Sequence, residues 1–273
     1  MTSIRKIKVG GQNYYLDGYM KQNLDLAKQL VKKDFDMILI YDGYEGSGKS
    51  VKVMQDAFYC DPTLTLDRVT FNPNEFRKAI IEAKPYQAVI YDEAYTGLSS
   101  RAAMSRINRA LVTMLAEIRQ KNLFVFVVVP TFFDVDRYVA LWRSRALIHI
   151  YTGKKFQRGY FMFYSMDRKK QLYVEGKKYY SYFKPRPNFS GRFTNYYVLN
   201  EKDYRKKKKE ALIKREKARE EIELQREIQT ELFRRLAENE DIPHKTKIEI
   251  LGIPEATYWY ELRKFKEEKG MYG

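Results

Sequence analysis

The first 150 residues alternate between short apolar runs and stretches whose apolar positions recur at helical spacing. Residues 37–41, 88–91 and 123–129 are nearly uninterrupted apolar runs of strand length, and 123–129 is rich in β-branched residues and carries no charge. Such runs suit strands that are covered on both faces, as in a parallel sheet. The stretches with helical spacing are residues 20–31, 51–59, 73–83, 101–120 and 134–142. With a further strand at 146–151, the alternation predicts an α/β fold with a doubly wound parallel sheet.

The segments on either side of this alternation follow other patterns. Residues 4–16 alternate apolar and polar around a Gly-Gly pair, which predicts a short hairpin. Residues 151–199 interleave tyrosine and phenylalanine with lysine and arginine, and glycines stand at turn positions. This mixture predicts two or three short β-hairpins that present aromatics and cations together. Stacking on bases and an ordinary half-buried sheet are both consistent with it.

The last third of the chain is helical in pattern. Residues 202–239 predict one long, highly charged helix, a solvated connector or, less favourably, a coiled coil. Residues 241–266 resemble a helix-turn-helix, with Ala256, Trp259 and Leu262 on its buried face; a small helical hairpin for protein contact is the alternative. The predicted domains are 1–199, including the aromatic and basic extension at about 151–199, then the connector 200–240 and the helical module 241–273.

Composition and charge narrow the choice of partner. The formal net charge is +16, and residues 101–199 carry 19 Lys/Arg against 5 Asp/Glu. A localised excess of this kind is the electrostatic footprint of a polyanion, so we expect nucleic acid to bind here, with Lys154, Lys155, Lys169 and Lys170 among its contacts. Cys60 is the single cysteine, which excludes an intrachain disulfide. The longest apolar run is far shorter than a membrane span, so we expect a cytoplasmic protein without a membrane partner.

The candidate chemistry begins directly after the apolar run 37–41. Gly43, four residues, then Gly48-Lys49-Ser50 matches the pattern G-x-x-x-x-G-K-[ST] in full, with a strand before it and a helix after it. Glycines let the backbone curl so that its N–H groups face phosphate oxygens. Lysine reaches the β- and γ-phosphates, and the serine hydroxyl ligates Mg²⁺. The predicted ATP-binding residues are Gly43, Glu45, Gly46, Ser47, Gly48, Lys49 and Ser50.

A second motif supports nucleotide hydrolysis. The apolar strand at 88–91 ends in Asp92 and Glu93, which resembles a Walker B motif. Asp92 with Ser50 would hold Mg²⁺, and Glu93 would activate the attacking water. A glutamate in this place resembles the P-loop branch that includes RecA-like, FtsK/HerA-like and terminase ATPases. That branch has an extra strand between the strand that precedes the phosphate-binding loop (the Walker A motif, here residues 43–50) and the Walker B strand, and residues 68–71 are the candidate for it.

Residues 35–150 as a whole are similar to viral and plasmid DNA translocation and packaging motors, and to zonular-occludens-toxin-like phage ATPases. The resemblance implies a γ-phosphate sensor at the end of the next core strand, where Thr131 stands and HerA-like members usually have glutamine. Catalysis is thus assigned to Lys49, Glu93 and Thr131. It also implies a homo-oligomeric ring in which a neighbouring subunit supplies an arginine. The candidates are Arg119, Arg137, Arg143 and Arg145.

These features together predict a Mg²⁺-dependent ATPase that moves or packages nucleic acid, with double-stranded DNA favoured. The expected setting is the cytoplasm of a prokaryotic or virus-infected cell, or the virion. One alternative is an ATP-switched DNA-binding regulator that uses the C-terminal helix-turn-helix. Another is a phage assembly or export ATPase. Residues 151–199 contain only Asp167 and Glu175 as acids, so a nuclease is excluded there.

Overall fold

The computed structural model of the protein describes residues 5–92, 112–114, 118 and 121–268. Two compact units divide the chain, Met1–Lys209 and Glu210–Gly273. Most of the predicted helix 101–120 lies outside the described residues.

The described part of the first unit combines an N-terminal hairpin with a seven-stranded sheet and flanking helices. The strands are β1 Arg5–Val9, β2 Gln12–Leu16, β3 Met37–Gly43, β4 Val69–Thr70, β5 Ala88–Asp92, β6 Phe124–Val128, β7 Ala146–Tyr151, β8 Tyr160–Tyr164 and β9 Phe189–Arg192. The helices are α1 Gly18–Val31, α2 Lys49–Cys60, α3 Pro73–Glu82 and α4 Met166–Gly176. A longer helix, α5 Glu201–Glu238, begins in this unit and continues into the second.

The large sheet has the strand order β4-β5-β6-β3-β7-β8-β9. The first five strands in this order pair in parallel, and β8 and β9 add antiparallel pairs at one edge. Every residue of β3, β5 and β6 is buried, which explains why these strands appear in the sequence as uninterrupted apolar runs. The prediction of an α/β fold with a mostly parallel sheet is therefore confirmed.

The strand between β3 and β5 is not the one that the sequence suggested. Residues 68–71 were the candidate, but Val69–Thr70 forms a two-residue strand at the edge of the sheet, beside β5. The central position belongs to β6, which pairs with β3 on one side and β5 on the other. A central strand must be covered on both faces. The uncharged run Phe124–Val128 meets this requirement over five residues, whereas β4 has only two residues and is too short to pair along the length of β3 and β5.

The prediction of two or three hairpins in residues 151–199 is wrong in part. Strand β8 pairs antiparallel with both β7 and β9 in the sheet. Along the chain, however, helix α4 lies between β8 and β9, so these two strands do not form a hairpin. Lys169, Leu172, Tyr173 and Gly176 are its buried residues, a spacing of three, one and three that places them on one helical face. The helical spacing was not recognised in the sequence, because the many tyrosines and lysines of this segment also fit the alternating pattern of strands.

Lys169 is a buried packing residue and not one of the expected nucleic-acid contacts. Its side chain is fully buried, and its Nζ donates a hydrogen bond to the carbonyl oxygen of Ala140. Burial, together with the neighbouring cations Lys170 and Arg145, lowers the pKa of Lys169 to about 7. The charged form is therefore costly in the folded state.

We expect Lys169→Met to stabilise the protein at pH 6 by about 1–4 kcal/mol, because an apolar side chain avoids the cost of burying the ammonium. Between pH 7 and the ordinary lysine pKa of 10.5, the unfolded wild type binds more protons than the folded one, so its stability rises with pH. The advantage of the variant should shrink over this range. Chemical unfolding at pH 6 and pH 9 measures it, and a constant difference would contradict the assignment.

The second unit contains the rest of α5 followed by α6 His244–Leu251 and α7 Glu255–Glu268. Gly252 ends α6 in the left-handed conformation, with φ 60°. The small core consists of Leu236, Leu251, Tyr258 and Leu262. The predicted buried face was wrong in part, because Ala256 and Trp259 are exposed and Tyr258 packs inward. Among the helices that the structure describes, none is both long and apolar enough to cross a membrane.

Candidate functional site

The glycine loop, residues 43–50, joins the carboxyl end of β3 to the first turn of α2. Gly43, Gly46 and Gly48 have φ values of 136°, 72° and 101°, which side-chain-bearing residues rarely adopt. Gly48 is the residue before α2 and has no side chain to cap it. The amide N–H groups of the first helical turn lack intrahelical acceptors, so this end of α2 suits an anion.

Two of these glycines are also required by close neighbours. A Cβ on Gly43 would stand 2.0 Å from the carbonyl oxygen of Ile150 in β7, the strand that pairs with β3. A Cβ on Gly48 would stand 3.1 Å from the ring of Phe193, which covers the loop. The loop is therefore held between β7 and the segment after β9.

Lys49 folds back over the loop that precedes it. Its Nζ donates hydrogen bonds to the carbonyl oxygens of Gly43, at 2.5 Å, and Tyr44, at 2.9 Å. Burial lowers the pKa of the Lys49 ammonium, and the carboxylates of Asp42 and Asp92 oppose that shift. A desolvated ammonium that is bound only to neutral carbonyl oxygens would bind an anionic ligand more strongly than these partners.

Ser47 is the loop residue with the clearest unmet hydrogen-bonding capacity. Its side chain is buried, and its Oγ has no hydrogen-bond partner among the residues that the structure describes. Glu45 and Gly46, by contrast, are exposed. Arg158, which no sequence motif indicated, places its Nη2 3.6 Å from the position of a Cβ on Gly46. A buried hydroxyl and an exposed guanidinium at one loop fit an anionic ligand better than a purely structural turn.

Ser50 and Asp92, the two predicted Mg²⁺ ligands, face a common cation. Asp92 ends β5, and its Oδ2 accepts a hydrogen bond from the Tyr204 hydroxyl at 2.6 Å. The Nζ of Lys208 lies 3.6 Å from Asp92 Oδ2 and 3.4 Å from Ser50 Oγ. The two predicted ligands are thus brought together, and a positive charge already stands beside both. Nothing in the sequence pattern had indicated Tyr204 or Lys208.

Comparisons with known proteins do not assign this arrangement to a family. No protein-family model matches the chain. A search of the curated proteins found no match either.

A buried polar network lies beneath the loop, centred on Asp42. Its Oδ1 pairs with His149 Nδ1 at 2.9 Å, and its Oδ2 accepts from the backbone N–H of Phe132, also at 2.9 Å, and from the Tyr182 hydroxyl. The Tyr182 ring stacks on His149 with centroids 3.7 Å apart. Burial raises the pKa of Tyr182, and the charge of Asp42 raises it further, so the hydroxyl stays a donor. Asp42 immediately precedes Gly43, so the network fixes the start of the loop.

Thr131, the predicted γ-phosphate sensor, belongs to this network. Its Oγ1 lies 3.3 Å from the Tyr182 hydroxyl and caps the short turn Phe132–Asp134 that follows β6. The structure therefore links Thr131 to Asp42 through Tyr182. A polar residue inside an apolar strand, directly before a glycine loop, was the available signal for Asp42; nothing in the sequence indicated Tyr182 or His149 as its partners.

A second buried contact fixes α2 to β3. Lys52 Nζ donates to Asp56 Oδ1 at 2.5 Å, and the Tyr41 hydroxyl donates to Asp56 Oδ2 at 2.8 Å. All three side chains are buried. Burial raises the pKa of Asp56, although Lys52 and Tyr41 both favour its charged form. These contacts hold the strand and helix that carry the two ends of the glycine loop.

The remaining predicted residues are less central. Glu93 and Arg119 lie outside the described residues. Arg137 is exposed, Arg143 Nη2 pairs with Asp36 Oδ2 at 2.7 Å, and Arg145 lies over the ring of Phe35. Arg143 and Arg145 directly precede β7 and therefore lie at the amino ends of the parallel strands, whereas the glycine loop lies at the carboxyl ends. Within the described ranges, no three His, Cys, Asp or Glu side chains form a metal cluster.

Proposed function

We propose that the protein is a Mg²⁺-dependent P-loop ATPase. The observation that carries the proposal is the combination of the glycine loop with the strand order β4-β5-β6-β3-β7. In this order β6 separates the loop-bearing strand β3 from β5, which ends in Asp92. All five strands are parallel, so the loop, Asp92 and Thr131 lie at one edge, where ligands of such sheets bind.

The residues at this edge fit a nucleoside triphosphate with its metal. The loop amides, the Ser47 hydroxyl and Lys49 would bind the phosphates. Ser50 and Asp92 would hold Mg²⁺, which keeps several waters and takes only a few protein ligands. When bound, the metal would neutralise charge on the β- and γ-phosphates. Glu93 would orient and deprotonate the attacking water.

Nucleic acid is the partner that best matches the charge of the first unit. The segment 177–187 contains four Lys/Arg and no Asp/Glu. Its Tyr179, Tyr180 and Phe183 are 73%, 63% and 78% exposed. Lys154 and Lys155, which precede this segment along the chain, are also exposed. The cations suit contact with DNA phosphates, and the exposed rings suit contact with unpaired bases. From the resemblance of residues 35–150 to translocation motors, we propose that the protein moves or packages DNA, with double-stranded DNA favoured, as a homo-oligomeric ring.

A DNA-binding regulator is the second candidate. The observation that favours it is the folded helical pair α6–α7 about Gly252, with Thr257, Tyr260 and Lys264 exposed on α7. Such a regulator would bind one sequence and would not translocate. Deletion of residues 241–273 would then abolish sequence-specific binding, while ATP hydrolysis by the first unit would not depend on duplex DNA.

The decisive experiment for the leading proposal is the rate of ATP hydrolysis with and without duplex DNA, at low and moderate salt. We expect strong stimulation that fades as salt rises, because binding to DNA phosphates releases counterions. Lys154, Lys155 and Lys178 replaced together by glutamine should reduce the salt slope of DNA binding by about 0.9 for each phosphate that these lysines neutralise in the wild type. A matched control replaces the exposed Lys32, Lys33 and Lys84. A rate of ATP hydrolysis that is the same with and without duplex DNA would contradict the proposal of a DNA motor.

A further inference from the structure

The first turns of α5 lie against the candidate site. Tyr204 and Lys208 are four residues apart, on one face of the helix, and the Lys208 Nζ is 3.1 Å from the Tyr204 hydroxyl. Tyr204 is buried, although most of α5 is exposed. Both side chains belong to the first unit, as do Ser50 and Asp92.

The contacts place an ammonium group where the proposal places a metal ion. Lys208 Nζ is 3.4 Å from Ser50 Oγ and 3.6 Å from Asp92 Oδ2, and Tyr204 donates to the same Asp92 oxygen. The Lys208 side chain is 26% exposed and that of Asp92 only 3%. Mg²⁺ would require these oxygens at about 2.0–2.1 Å, in an octahedral shell with waters. A lysine ammonium at this distance would repel the dication and occupy the space of its waters.

Further contacts hold this part of α5 in place. Lys207 Nζ donates to the carbonyl oxygens of Leu66 and Val69, at 2.7 and 2.8 Å. The Tyr204 ring packs 5.8 Å from that of Phe71, centroid to centroid. The two hydrogen bonds of Lys207 and the ring contact of Tyr204 thus dock the helix beside β4, in addition to the contact of Tyr204 with Asp92 at the end of β5.

We infer that Tyr204, Lys207 and Lys208 form a latch that competes with Mg²⁺-nucleotide for Ser50 and Asp92. The inference rests on the proposed function. With the latch closed, Lys208 and Tyr204 satisfy Asp92. Binding of the metal with its nucleotide displaces both side chains and releases the first two turns of α5. The measured affinity for Mg²⁺-nucleotide therefore equals the affinity of the open form multiplied by the fraction of molecules in which the latch is open.

The test measures ATP affinity by calorimetry, with Mg²⁺ and with EDTA, for wild type, Lys208→Ala and Tyr204→Phe. We expect both variants to bind ATP about 3–10-fold more tightly with Mg²⁺ and to change little in EDTA. The matched control is Lys206→Ala, an exposed lysine of the same helical turn that should change neither value. Hydrogen exchange supplies a second readout: Mg²⁺-ATP should accelerate exchange in residues 201–209 of the wild type.

Three results would overturn the latch itself, and a fourth would overturn the proposed function with it. If Lys208→Ala binds ATP more weakly than the wild type, Lys208 contacts the phosphates. If the variant binds ATP more tightly by the same factor in EDTA as in Mg²⁺, Lys208 acts through its charge in general and does not compete with the metal. If wild type and all variants fail to bind ATP under either condition, the proposed function falls as well. ATP binding with unchanged exchange at 201–209 and unchanged affinity in the variants removes the latch alone.

Discussion

Replacing Lys49 by alanine is expected to lower the rate of ATP hydrolysis by at least about 10²–10³-fold, the usual cost of losing one pre-positioned donor to a developing negative charge. Lys49 is desolvated and held by the carbonyl oxygens of Gly43 and Tyr44, so its ammonium is positioned before any ligand arrives. Lys208 of α5 is not expected to replace it, because in the proposed latch Lys208 leaves the site when Mg²⁺-ATP binds. Steady-state hydrolysis with saturating Mg²⁺-ATP measures the loss.

The control for this variant is Lys33→Ala, an exposed lysine after α1. It removes the same charge and should leave the rate unchanged. Far-ultraviolet circular dichroism should show that Lys49→Ala remains folded, since its side chain makes hydrogen bonds only within the loop. Hydrolysis at the wild-type rate by folded Lys49→Ala would refute the nucleotide site.

Asp42→Ala is expected to destabilise the first unit by about 3–5 kcal/mol. The substitution leaves the His149 ring, the Tyr182 hydroxyl and the Phe132 N–H without their acceptor. Each buried polar group left unsatisfied costs about 1–3 kcal/mol. Because Asp42 and its histidine are buried, water cannot restore these bonds without repacking. Urea unfolding followed by tyrosine fluorescence should show a lower midpoint with little change in slope.

A matched control for Asp42 is Asp67→Ala, which removes an exposed carboxylate. Its effect should stay within about 0.5 kcal/mol, as for most surface substitutions. Asp42→Asn keeps the shape but loses the charge, so we expect a smaller loss than for alanine. An Asp42→Ala midpoint equal to that of Asp67→Ala would mean that the buried network contributes no stability.

The strands up to β7 and the glycine loop were predictable because their signals are local. The run Phe124–Val128 identifies a buried strand by itself, and the loop needs only its own glycines, Lys49 and Ser50. The position of β6 between β3 and β5 was not predictable from local pattern. Strand order depends on which faces the helices cover, and that is decided by packing across the whole unit.

The partners of the site residues were beyond the sequence for a related reason. Asp42 meets His149 and Tyr182 across more than 100 positions of chain, and Asp92 meets Tyr204 across 112. No periodicity joins residues so far apart. Lys169 illustrates the opposite error, since its basic side chain suggested a surface contact, whereas the helical face of α4 buries it. Charge alone does not locate a lysine when its stem can pack.

The measurement that tests the central claim most directly is calorimetric titration of the wild-type protein with ATP in the presence of Mg²⁺. The glycine loop predicts one saturable site per chain, with a dissociation constant between about 1 μM and 1 mM, the range common for enzyme substrates. The same titration of Lys49→Ala should show binding that is strongly weakened or absent. Absence of saturable binding by the wild type, or equal binding by Lys49→Ala, would contradict nucleotide binding at residues 43–50.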